Sequence, residues 1–179
     1  MDLLKKLGRM GLWAAKLGPG PHMKGMTIMG VRGKDFDLFH EVRTMHDARR
    51  HSLARSRRAC LQSITHEEFA RIGAAGFQDG LCTGLVIGLP PVMHFAREDI
   101  RDRVTHECIQ GDKIICLAIS EPFAGSDVAN IQTTATKTPD GKFYVVSGIK
   151  KWITNGTFSD YFVTAVRVHR KPQRALVAA

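Results

Sequence analysis

The chain has 179 residues, 44% of them hydrophobic, enough for one domain or two small ones with a real core. Its longest uncharged run, Gly80–Met93, is interrupted by Pro90-Pro91 and is too short to cross a bilayer. The net charge of +9 resides in two blocks, Arg43–Arg58 with six arginines against one aspartate, and Arg167–Ala179 with three arginines, one lysine and no acid. Outside these two blocks the chain sums to zero, so its basicity is poor evidence for a nucleic-acid partner.

In chain order, Met1–Gly18 places Leu3, Leu7, Met10, Ala14 and Leu17 at helical spacing, with basic residues elsewhere on the wheel. Its acid-poor composition also suits an organellar targeting peptide, which ranks second to a helix of the fold. Gly18-Pro19-Gly20-Pro21 ends that helix, Gly25–Gly33 is indefinite, and Asp35–Val42 suits a short helix. Arg43–Arg58 has no apolar stripe and reads as a solvated insert, about 43–62, with a partner-binding role as the alternative.

Thr65 to Glu68 has the spacing of a capping box for a helix running on through Phe69 and Ile72. Leu81–Leu89 is apolar enough to be a buried helix or the liner of a pocket. Arg97–Gln110 is a clearer helix, with Ile100, Val104, Cys108 or Ile109 inward and Gly111 as its stop. Cys60, Cys82, Cys108 and Cys116 show no metal-ligand spacing, so no metal site is expected, and buried free thiols in a reducing, intracellular compartment are the default.

Lys113–Ile119 is apolar and β-branched and suits a strand. Ser120-Glu121-Pro122 halts it, because proline has no N–H for a ladder. Phe123–Asp127 is a small-residue loop, Gln132–Lys137 alternates again, Pro139-Asp140-Gly141 is a turn, and Lys142–Ile149 returns as a strand. Asp160–Val168 alternates as a further strand. A strand end, a small-residue loop and a hairpin suit an anionic or planar ligand, although an ordinary turn in a β domain satisfies the same spacing.

Ala118–Asp127 (AISEPFAGSD) resembles the flavin-loop signature of the acyl-CoA dehydrogenases. Lys151–Gly156 (KWITNG) resembles their second flavin-contacting segment, in the right order and at the right distance. The likeness extends more loosely back to about Ile64 and over Asp2–Leu17. By that resemblance the cofactor is FAD. Ile119 offers backbone groups and Ser120 a hydroxyl to the flavin ring, and Gly125 and Ser126 lie along the pyrophosphate and the thioester ligand. Trp152 packs on the ring, and Thr154 bonds near its reactive nitrogen. Leu117, where an aromatic is common, and Asn130, where a small residue is usual, depart from the pattern.

The resemblance implies an α+β chain: a helical portion 1–111, an incomplete antiparallel β domain 112–168 and an irregular tail 169–179, with the family's C-terminal helical bundle absent. It implies an FAD-dependent acyl-CoA dehydrogenase, apparently truncated, with no catalytic residue assigned because the carboxylate base resides in the absent bundle. Glu121 belongs to the loop and is not promoted to that role. An acyl-CoA oxidase or flavin monooxygenase of the same fold, or a non-catalytic fragment that binds a partner, are the alternatives. The implied partners are an acyl-CoA substrate, an electron carrier that accepts from flavin and, at full length, further copies of the chain. A mitochondrial, peroxisomal or cytoplasmic site is left open.

Overall fold

The computed structural model describes residues 2–17, 22, 27–28, 31–32, 67–168 and 174–178. The Gly/Pro segment 18–21, the expected helix Asp35–Val42, the basic insert and Thr65 of the expected capping box lie outside them. The N-terminal helix is two helices, α1 (Asp2–Arg9) and α2 (Leu12–Lys16), separated at Gly11, whose φ of 76° no α-helix accepts. Trp13 Nε1 donates to the Leu4 carbonyl across the bend, at 2.9 Å. A hairpin of two short strands, β1 (Thr27–Ile28) and β2 (Val31–Arg32), follows. A helical turn covers 67–71.

α3 (Ala75–Thr83) runs without interruption into a π-helical turn, Gly84–Gly88, and then into α4 (Leu89–Phe95). α5 (Glu98–Ile109) has Glu98 and Asp99 at its positive end and stops at Gly111, φ 72°, as its sequence leads one to expect. Val104, Cys108 and Ile109 face the core, with Ile100 packed at its margin. There they join Trp13, Leu85, Leu89, Val92 and, from the sheet, Ile115 and Val163. Burial pushes the Cys108 thiol up to about 12, with Glu107 and Asp160 adding to the effect, so it is an inert core group.

The sheet consists of β3 (Ile115–Ala118), β4 (Thr134–Lys137), β5 (Tyr144–Ser147), β6 (Tyr161–Val168) and β7 (Arg174–Ala178). β4 and β5 form the expected antiparallel hairpin around Pro139–Gly141. The sheet is nevertheless mixed rather than antiparallel. β3 runs parallel to β6 (Ile115↔Tyr161 to Ala118↔Thr164), and β4 also runs parallel to it (Thr134↔Arg167, Ala135↔Val168). The connections allow it: 119–133 between β3 and β4, and 138–160 (which carries β5) between β4 and β6, each exceed the roughly dozen residues that a parallel crossover needs. Asp160 fixes the β3–β6 start, accepting from the Ile114 amide at 2.9 Å and from Lys113 Nζ at 2.8 Å.

The expected irregular tail is a second correction. Arg174–Ala178 pairs antiparallel with β6 over five positions, Val163↔Ala178 to Arg167↔Arg174. The basic residues mask an apolar Ala-Leu-Val-Ala run that completes a ladder. Among the described residues β6 is therefore paired on both sides at Val163, Thr164 and Arg167. At Val163 its two sides are taken by β3 and β7 and at Arg167 by β4 and β7, so β3 and β4 share one edge in succession.

One close approach sets the helices on the sheet. A Cβ on Gly84 would lie 2.0 Å from the Ile115 carbonyl oxygen, so only glycine lets the π turn touch the backbone of β3. That contact brings Thr83 and Ile87 over the end of β3.

Candidate functional site

β3 ends at Ala118, where the chain leaves the ladder through Ile119 and Ser120. A tight turn follows, closed by Glu121 N–H to the Ala124 carbonyl (2.9 Å) and Ala124 N–H to the Glu121 carbonyl (3.2 Å), with Pro122 and Phe123 at its corner. Beyond it, Ile131 and Ala124 pack with Ala165 and Ile119 in a second small core, which seats the loop on β6. Arg167 donates to the Ile131 and Ala129 carbonyls, holding the far end of the loop.

The second segment folds back against the first. Lys151 N–H donates to the Ser120 carbonyl at 2.9 Å. Trp152 (φ 62°) and Asn155 (φ 67°) are the non-glycine residues with left-handed backbone among those described. Asparagine tolerates that region, and its Nδ2 is tied to the Gly80 carbonyl at 2.7 Å. For tryptophan it is strained, and such strain gathers at functional sites. Trp152 is nonetheless 81% exposed, with Lys151 Nζ over its ring, 4.6 Å from the centroid.

Between these segments and the helices lies a cleft of about 280 Å³. Ile119, Ser120, Gly125, Trp152 and Thr154 all line it, so five of the six expected site residues converge; Ser126 is one residue further along the loop and does not line it. Leu117, at the position where the sequence departs from the usual aromatic, also lines it. A Cβ on Gly125 would meet nothing within 4 Å, leaving the backbone there open to a ligand. Sequence reasoning missed Val128 and Ile153, apolar walls with no periodic signal to mark them. Leu81–Leu89 is both things expected of it: Leu85 and Leu89 are core, whereas Gly84 and Ile87 face the cleft. No charged side chain lines the cleft among the described residues.

Glu121 lies beside the cleft, not in its lining, and is 6% exposed. Its carboxylate accepts from Gln132 N–H (2.5 Å), Thr133 N–H (3.0 Å), Thr133 Oγ1 (2.5 Å) and Lys150 Nζ (2.7 Å). Burial alone would push its pKa up. The Lys150 ammonium, the Thr133 hydroxyl and the two amides outweigh that and hold it down at about 2. Lys150 and Thr133 are further residues that the sequence did not single out. Their partner is far along the chain, and neither carries a local signature. Among the described residues no group of three His, Cys, Asp or Glu side chains could hold a metal ion, and no helix is long and apolar enough to cross a membrane.

Residues 116–178 match the family described as "Acyl-CoA dehydrogenase, middle domain". The acyl-CoA dehydrogenase apdG of Emericella nidulans is 47% identical over 140 residues, covering 78% of this chain and 27% of that protein. The chain belongs to the acyl-CoA dehydrogenase family. The acyl-CoA dehydrogenase AFT10-1 of Alternaria alternata is 32% identical over 169 residues, 92% of this chain and 34% of its own. Among solved structures, an acyl-CoA dehydrogenase from Bacillus anthracis complexed with FAD superposes with a TM-score of 0.68. That match covers 99% of this chain and 25% of the other, at 24% identity, and it establishes a shared fold. The chain thus spans between a quarter and about a third of the length of these acyl-CoA dehydrogenases.

Proposed function

We propose that the cleft holds the isoalloxazine ring of FAD, and that this chain is the flavin-holding part of an enzyme that dehydrogenates acyl-CoA thioesters between the α and β carbons. The observation that carries this reading is convergence. Two segments separated along the chain meet through Lys151 N–H and the Ser120 carbonyl and present Ile119, Ser120, Gly125, Trp152 and Thr154 to one cavity.

The donor set fits a flavin ring. The ring is planar and apolar across its faces, with a polar edge, and the cleft offers an indole, aliphatic walls, the hydroxyls of Thr83, Ser120 and Thr154, and free backbone. Its volume sits at the lower end of small-molecule sites, roughly 300–1,000 Å³, which suits the ring alone. Ser126, just beyond the ring cleft on the same loop, is positioned in sequence for the pyrophosphate or the thioester ligand. When bound, the flavin accepts the hydride that leaves the β carbon.

The chain's own residues orient the ring and exclude water from it. Ser120 and Thr154 bond its polar edge, and Trp152 covers a face. Glu121 takes no part in proton abstraction: its carboxylate is already saturated by four donors and lies outside the cleft lining. The base is not assigned to this chain.

The test is FAD binding to the chain and to its Ser120→Ala and Thr154→Val variants, followed by the quenching of flavin fluorescence. Each substitution leaves a buried polar edge unpaired and should weaken binding by about 1–3 kcal/mol. Unchanged affinity in both variants would remove these residues from the site.

A further inference from the structure

We propose that Lys150 is a positioning residue for this cleft, acting with Glu121 to set the peptide between Ile119 and Ser120. The proposal rests on the reading of the cleft as a flavin site and deepens it.

Lys150 Nζ donates to the Ile119 carbonyl at 2.9 Å and to Glu121 Oε1 at 2.7 Å. Its neighbour Lys151 donates its N–H to the Ser120 carbonyl at 2.9 Å. Two adjacent residues of the second segment thus hold three consecutive residues of the first, at the point where β3 has ended and no ladder fixes the backbone.

The Ile119–Ser120 peptide is trans and planar, so pinning its carbonyl also fixes the Ser120 N–H, which lies in the same plane and points the opposite way. Ile119 and Ser120 both line the cleft. Lys150 therefore controls the direction of the backbone groups offered there while lying outside the lining itself.

The ammonium is held in place from the other side. Its side chain is 12% exposed and that of Glu121 5% exposed. Thr133 and Gln132, through the remaining bonds of the carboxylate, anchor Glu121 to the segment that enters β4. Peptide orientation at the cleft is thereby coupled to the seating of the β4–β5 hairpin.

The experiment compares FAD binding and urea unfolding in the full chain, its Lys150→Met variant and the double variant Glu121→Gln/Lys150→Met. Lys150→Met leaves a buried carboxylate without its cation and will lower stability as well as affinity. The double variant removes both charges, so most of the stability should return, but the Ile119 carbonyl remains unpinned. The expected result is an FAD affinity about 10-fold to 100-fold below that of the unaltered chain in both variants, the range for a lost bond to a charged donor. The visible absorption band of bound flavin should change shape in both as well.

Recovery of full FAD affinity and band shape in the double variant would reduce Lys150 to a charge partner of Glu121 and overturn the proposal. If Ser120→Ala and Thr154→Val weaken FAD while Lys150→Met does not, the flavin reading survives and the positioning role falls. A chain that binds no FAD overturns both.

Discussion

Replacing Glu121 by glutamine tests the buried charge pair directly. The substitution keeps the shape of the side chain, but it leaves the Lys150 ammonium facing a neutral group and sets an amide NH₂ among donors. The carboxyl's pKa falls from an ordinary 4.5 to about 2 on folding, and at roughly 1.4 kcal/mol per unit that linkage is worth about 3 kcal/mol of stability at neutral pH. Breaking a buried pair from one side costs a similar amount, about 3–5 kcal/mol. The sign follows from the direction of the shift. Because the folded pKa is depressed, the contribution is fully present above 4.5 and is lost as pH falls through about 2. Urea unfolding of both proteins, followed by the emission of buried Trp13, should show the variant weaker by about 3 kcal/mol at neutral pH. The gap should close as the solution approaches the folded-state pKa, where the native side chain is itself neutral. A gap below about 1 kcal/mol at neutral pH, or one that does not change with pH, would refute the account of Glu121 as an ionised structural anchor.

Other consequences are as direct. Trp152→Gly relieves left-handed strain at a residue that is 81% exposed, so stability should hold or rise by up to about 1 kcal/mol in thermal unfolding while FAD affinity drops. Loss of stability there would mean that the indole packs for the fold and not for a ligand. Gly84→Ala places a methyl against the Ile115 carbonyl and should cost about 1–3 kcal/mol, read as a lower unfolding midpoint; a neutral result would place the π turn further from β3. Val145→Lys, at a position 63% exposed on β5, should raise soluble yield with little change in the unfolding midpoint, because a charge discourages strand-to-strand association. A clear drop in the midpoint would show that Val145 is covered in solution.

Much of this protein is legible from local chemistry. The period of α5 and its glycine stop, the Pro-Asp-Gly hairpin, the proline at the corner of the turn after β3 and the two segments that resemble flavin-contacting ones each depend on residues a few positions apart. Helical periodicity, turn dihedrals and the missing N–H of proline operate over that range, so the sequence alone determined those elements and the order of the site segments. Pairing between distant strands has no such local code. That β3 and β4 lie parallel to β6, and that the basic tail ends in β7, depended on crossover length and on which edge of β6 was left to pair. The Glu121–Lys150 pair and the seating of Ile87 over the end of β3 are likewise tertiary decisions. A buried carboxylate takes whichever donors the assembled fold brings within reach, and Gly84 reveals its purpose only when the Ile115 carbonyl is against it.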